Sequence, residues 1–208
     1  MNKWLEDNWH TLASNYIDDS IATKFWKDIE THYISKNRHY HNFSHLYNMF
    51  LQLEVFDTEI EDLESLKFAI WYHDIIYKST KKDNEEQSAV FAKKHLKVLS
   101  FEKNRLEKIQ KLIISTKKHC VILDENLDNA YLLDLDLSIL GTDWITYSKY
   151  IQNIRKEYKI YPDILYKSGR KKVLKYFLER DTLYFTKRFR DKFEAHAREN
   201  LKKEIELL

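Results

Sequence analysis

The chain predicts an all-α, single-domain helical bundle, and three observations carry that prediction. Its 208 residues hold two glycines and one proline, where ordinary usage is about 7% and about 5%. Sheets and hairpins consume turn residues, whereas helices joined by short polar loops do not. Apolar residues recur at helical spacing through most of the length, and no repeat, low-complexity tract or long linker divides it, so one domain over 1–208 is the economical organisation.

Each element follows from its own pattern. Residues 3–16 and 19–33 read as amphipathic helices rich in Trp and Tyr. A third starts near His41 and reaches about Phe56, with Leu46, Met49, Phe50 and Leu53 at i, i+3, i+4 and i+7. A fourth, about 61–77, carries Leu63, Leu66, Ile70, His73 and Tyr77 on one stripe. The polar stretch "KSTKKDNEEQSA" then interrupts, and Asp83 followed three residues later by Glu86 has the form of a capping box opening a helix near 85–99. Helices are expected near 102–118 and 129–140, the latter stopped by Gly141 as a C′ residue. The remainder gives one near 143–160, with Tyr147, Tyr150, Ile151, Ile154 and Tyr158 on its face, one opened by Pro162, and a charged C-terminal helix.

Composition removes several function classes. Thirty-five Lys+Arg against thirty-three Asp+Glu leave a net charge of +2, too balanced for a dedicated nucleic-acid binder, although local basic patches remain available to a phosphate. The opening "MNKWLEDNWH" is charged and lacks an apolar h-region, and nowhere do eighteen apolar residues run together, so neither a signal peptide nor a membrane span is expected. The single cysteine, Cys120, has no intrachain partner, which fits a reducing cytoplasm. A chain this long can bury enough surface to fold without a disulfide or structural metal.

The residues that carry chemistry fall in three stretches. "RHYHNFSHLYNMF", 38–50, sets His41 and His45 four apart, on one helix face. "AIWYHDIIY" places His73 beside Asp74, within reach of one ion, among the apolar or aromatic neighbours Ala69, Ile70, Ile76 and Tyr77. An ionised aspartate buried there alone would be costly, so a compensating cation is expected. In "YLLDLDLSILG", Asp136 has Leu132, Leu133, Ile139 and Leu140 one turn away, whereas the surroundings of Asp134 are wetter. Asp136 is therefore read as the ligand, with Asp134 supporting it from behind. Imidazole nitrogen and carboxylate oxygen from His45, His73, Asp74 and Asp136 suit a divalent ion such as Mn, Fe, Co, Ni, Zn or Mg, with room for water.

The pattern H…HD…D resembles the HD superfamily of metal-dependent phosphohydrolases, an all-helical fold named for its adjacent His-Asp pair. "YHNFSHL" is similar to the "YHNxxHA" segment of cyclic-nucleotide phosphodiesterases, which implies His45 as a metal ligand and His41 as the group that protonates the leaving oxygen. "LDLDLS" is similar to the "ADLS" or "ADR" segments that hold the last metal aspartate, which favours Asp136. Over nearly the whole chain, "RHYHNFSHL", "WYHDIIY", "DNEEQSA", "LDLDLSILG", "IRKEY" and "GRKKVLKYFLERDTLY" resemble a family of small bacterial proteins described as predicted metal-dependent HD-superfamily phosphohydrolases. The phosphodiesterases have a further histidine where this chain reads "IIYKS", and HD nucleotidases often place a glutamate about one turn past the pair, where Ile and Tyr stand here. The acid–base role then belongs to His41, or Glu85 or Glu86 folds back to take it.

The resemblance implies a metal-activated water attacking a nucleotide or other small phosphate ester, with His41 and Glu86 as candidate catalytic residues. His119 is a candidate for a second metal or a phosphate oxygen, with a helix-end histidine on the dipole as the plainer alternative. Lys117, Arg155, Arg170 and Arg180 are candidates for phosphate contacts. Two other functions share the pattern: a di-iron oxygenase drawing on His119, and a catalytically silent nucleotide-sensing module. His10, His32, His39, His95 and His196 read as ordinary histidines, and the aromatic stripes as core.

Overall fold

The computed structural model describes residues 1–99 and 101–208. Among them ten α-helices and no strand occur: α1 (Asn2–Ala13), α2 (Asp19–Tyr33), α3 (Phe43–Leu53), α4 (Leu63–Tyr72), α5 (Asn84–Leu96), α6 (Lys103–Ser115), α7 (Asp128–Leu137), α8 (Trp144–Glu157), α9 (Asp163–Leu178) and α10 (Lys187–Leu207). The all-helical expectation holds. Half of the helices start with a side-chain cap, and α9 is opened by Pro162. Asp18, Asn42, Asp62, Asp143 and Thr186 each accept a hydrogen bond from a backbone N–H in the first turn of the helix they precede.

The helices close around one apolar core. α4 runs through its middle, with Leu66, Phe68, Ala69, Ile70, Trp71 and Tyr72 all fully buried. The Trp9 ring of α1 stands edge-on to Phe68, Trp71 and Tyr72 at 5.8–6.1 Å, and its indole N–H donates to Ala22 O at 3.0 Å. Edge-to-face contacts of this kind add to the area they bury. No helix among the described residues is long and apolar enough to cross a membrane.

Four expectations are corrected. α3 begins at Phe43, two residues past His41, because Asn42 caps it. α4 ends at Tyr72, so Asp74 lies in the turn beyond it, and the two neighbours of the HD pair do not share a regular helix. Asp83 forms no capping box: its carboxylate accepts from the Gln87 side chain at 3.2 Å, and Glu86 pairs with Lys117. Gly141 is not a left-handed C′ residue, since no glycine has positive φ. It ends a 3-10 turn, Ser138–Gly141, against which α10 lies so closely that a Cβ would stand 2.5 Å from Phe193 Cβ. The glycine is required by helix contact.

Candidate metal centre

The turn after α4 sets the position of the HD pair. His73 still donates its N–H to Ala69 O at 2.9 Å, and its own φ and ψ are helical. The carbonyls of Asp74 and Ile75 instead receive the Arg38 guanidinium at 2.6 and 2.7 Å, and the same guanidinium donates to His41 O at 3.1 Å. Arg38 thus ties the "RHYHN" stretch to the HD turn. From the other side, Ser88 Oγ accepts from Ile76 N, and Asn84 bonds both the N–H and the C=O of Lys78. These two side chains give the "DNEEQSA" stretch its role: they hold the turn that follows α4 in place of further helix.

Four side chains then converge. His45 Nε2 lies 3.2 Å from His73 Nε2 and 3.2 Å from Asp136 Oδ1. Asp74 Oδ2 lies 3.1 Å from His73 Nε2 and 3.8 Å from His45 Nε2. His45, His73 and Asp136 offer three atoms within 4.8 Å of one another, and Asp74 closes the nest from the side. Ligand bonds of about 2.1 Å would put adjacent donors of an octahedron about 3.0 Å apart and opposite donors about 4.2 Å apart. The observed separations fall in that range, so the residues fit a divalent cation by donor type and by spacing. Asp136 spans the nest, since its other oxygen, Oδ2, stands 3.1 Å from His119 Nε2.

The four groups set one another's charge. Burial works against the charge on Asp74, but the imidazoles of His73, His41 and His45 outweigh it and hold the carboxyl well below the usual carboxylate range. Asp136 is held low in the same way by His119 and His45. Burial also opposes a charge on His73, yet Asp74 and Asp136 raise its pKa to about 9. His45, for which burial dominates, is lowered. Two ionised carboxylates facing each other across imidazoles, largely out of water, are balanced here by positive charge on the imidazole of His73.

His41 stands beside this nest. Its Nδ1 lies 2.6 Å from Glu157 Oε2, while Glu157 Oε1 accepts the backbone N–H groups of His39, Tyr40 and His41 at 2.8–3.0 Å. Its ring stacks on Tyr77 at 4.0 Å. Burial lowers the pKa of His41, but the carboxylates of Asp74 and Glu157 prevail and raise it. No local pattern announced Glu157. It belongs to the "IRKEY" stretch, but its partners lie some 116 residues earlier.

A cavity of about 550 Å³ opens over the nest, lined there by His41, Asp74, His119 and Asp136 and at its rim by Lys81, Lys82, Glu85 and Lys117. His119 reaches it from the turn beyond α6 with φ of 46°, in the left-handed region that few residues other than glycine adopt. The other expectations divide. Glu86 is taken up by Lys117 and does not line the cavity; Glu85 does, and burial together with Asp74 raises its pKa. Arg155 binds Asp163 and the carbonyls of Tyr158 and Tyr161 and does not line the cavity. Arg170 lines the cavity but is turned toward Glu204 at 2.6 Å, and Arg180 donates to Lys118 O. Asp134 does not support Asp136. It accepts from Phe185 N, Thr186 N and Thr186 Oγ1 at 2.7–2.8 Å and so fixes the start of α10.

The fold and site define a class: an all-helical domain whose cavity has a mixed histidine–carboxylate floor. Compared with family models, curated proteins and solved structures, the chain matches none.

Proposed function

We propose that the chain is a divalent-metal-dependent phosphohydrolase of the HD type, cleaving a nucleotide or other small phosphate ester. One observation carries the reading. His45, His73, Asp74 and Asp136, from three separate stretches of chain, converge with cation spacing at the floor of a cavity that also holds a carboxylate-oriented histidine. Those four residues would hold the cation. When bound, such an ion supplies Lewis-acid polarisation of a phosphoryl oxygen and an acidified water.

The chain's own groups supply the rest. Glu157 accepts a hydrogen bond from Nδ1–H of His41, which leaves Nε2 as the nitrogen available to the cavity. Asp74 and Glu157 favour the protonated ring, so His41 is suited to give a proton to a departing alkoxide. Lys81 and Lys82 at the rim, which form no ion pair among the described residues, offset charge on the non-reacting phosphate oxygens. Glu85 is the second candidate acid, being both lined up on the cavity and raised in pKa. Glu157 acts through His41 and is a positioning residue.

A second reading, a di-iron site that activates oxygen, draws on the approach of His119 to Asp136. One experiment separates the two. Purified protein with added Mn, Mg or Ni is offered mono-, di- and triphosphates, cyclic nucleotides and bis-p-nitrophenyl phosphate without oxygen. Release of inorganic phosphate, pyrophosphate, triphosphate or nitrophenol, or opening of a cyclic nucleotide to its monophosphate, is expected as the product of hydrolysis. No release across the panel, with oxygen uptake by the iron-loaded protein on an alcohol or phosphonate, overturns the phosphohydrolase reading.

A further inference from the structure

The cavity is far larger than a phosphoryl group requires. At about 550 Å³ it takes a whole small ligand, and one of its walls is a face of α9, with Leu165, Tyr166, Gly169, Val173 and Phe177 at helical spacing; it meets the nest where Phe177 packs on His119 at 5.6 Å. Arg170, on the same face, is committed to Glu204, so this wall offers surface and little free charge.

Gly169 is the residue on it that the fold does not explain. The chain's other glycine, Gly141, stands where any Cβ would collide with Phe193. At Gly169 a Cβ would meet nothing within 4 Å, and the backbone there is ordinary helix. Glycine in a helix interior is less stable than alanine. A chain that uses glycine twice in 208 residues therefore carries one at a cost to the fold, in the wall of its main cavity. What a missing Cβ provides is close approach of a ligand to the helix backbone.

The neighbouring surface says what shape of ligand. Six of the fourteen tyrosines line this cavity, among them Tyr158, Tyr161 and Tyr166 near α9. Aromatic side chains around a bare strip of backbone receive a flat π system better than a puckered or branched group. We propose that the α9 wall binds the leaving-group half of the substrate, that this half is a flat ring system, and that Gly169 is the residue that selects it. The leaving-group assignment rests on the phosphohydrolase reading; binding of the ring does not.

The test uses alcohols that carry no phosphate. Calorimetry on the metal-loaded protein compares 1-naphthol with decahydro-1-naphthol, the same carbon skeleton made flat or puckered. The wild-type protein should prefer the flat alcohol about tenfold or more, and Gly169→Leu should cut that preference to about twofold. Gly169→Ala should weaken 1-naphthol about threefold while raising Tm by about 2 °C, because the fold accepts the methyl group and the ligand does not. Equal binding of both alcohols by the wild type, or an unchanged preference in Gly169→Leu, overturns the proposal. In turnover, Gly169→Leu should raise KM for 1-naphthyl phosphate and spare that for glycerol 2-phosphate. If the naphthol preference depends on Gly169 but no phosphate ester is hydrolysed, the ring site stands, and the phosphohydrolase reading fails together with the leaving-group assignment.

Discussion

His95, in the aromatic interior between α2 and α5, and His73, at the floor of the cavity, are both buried imidazoles with a carboxylate at hand. His95 is stacked on Phe25 and tilted against Phe91, each at 4.3 Å, and its one carboxylate neighbour, Asp28, is half exposed at 3.5 Å. Burial wins there and pushes its pKa down to about 4. Around His73 two carboxylates are themselves withdrawn from water, and the pKa rises to about 9. Burial of a histidine is thus not the mark of a site. The mark is the number of carboxylates that share its burial without donors of their own.

The two aspartates of "LDLDL" repeat the lesson within one helix. Asp134 is satisfied by two backbone N–H groups and a hydroxyl, which need no ion. Asp136 faces only imidazoles. Hydrogen-bond donors supplied by the backbone tie Asp134 into the fold, and their absence leaves the charge of Asp136 to the imidazoles around it.

Variants can break this comparison, and the largest effect is expected in the nest. His73→Ala and Asp136→Ala should keep the helical circular dichroism, lose bound metal by elemental analysis and lose turnover by at least about a thousandfold. Full metal occupancy in both would remove the nest as a site. Next comes His41→Ala, expected to retain metal and lose about a hundredfold or more on alkyl phosphates, with a smaller loss on p-nitrophenyl esters, whose leaving group needs little protonation. Glu157→Gln should follow the same split more weakly and shift the pH profile of kcat; a uniform loss on both substrates would deny His41 its proton.

Asp134→Ala should reverse the pattern of Asp136→Ala. Three donors lose their acceptor, so unfolding in urea should show a loss of about 3 kcal/mol, while metal content per folded chain stays that of the wild type. The smallest effect concerns His95. Its folded pKa, about 4, lies below the unfolded value of about 6.5, so its stabilising contribution is complete above pH 6.5 and is lost as the pH falls toward 4. Between about pH 7 and pH 4.5 the wild type should lose about 2 kcal/mol relative to His95→Phe. Parallel pH dependence in the two proteins would show that the stacked ring is not the neutral imidazole described here.

Helix count and order were legible in the sequence because apolar spacing and capping residues are local. The four nest residues were legible too, since charged groups among apolar neighbours need a partner wherever the chain carries them. The sequence could not say that α4 stops at Tyr72, because Arg38, Asn84 and Ser88 stop it from a distance. Nor could it assign Asp134 to the start of α10, 51 residues on, or pair Glu157 with His41 and Glu86 with Lys117. Composition and period by themselves determined that this chain is helical and which charged groups stand among apolar neighbours. Which carboxylate meets a backbone donor, which meets an imidazole and which meets a lysine was decided only by tertiary packing, because a hydrogen bond depends on angstroms in space and the sequence specifies only order along the chain.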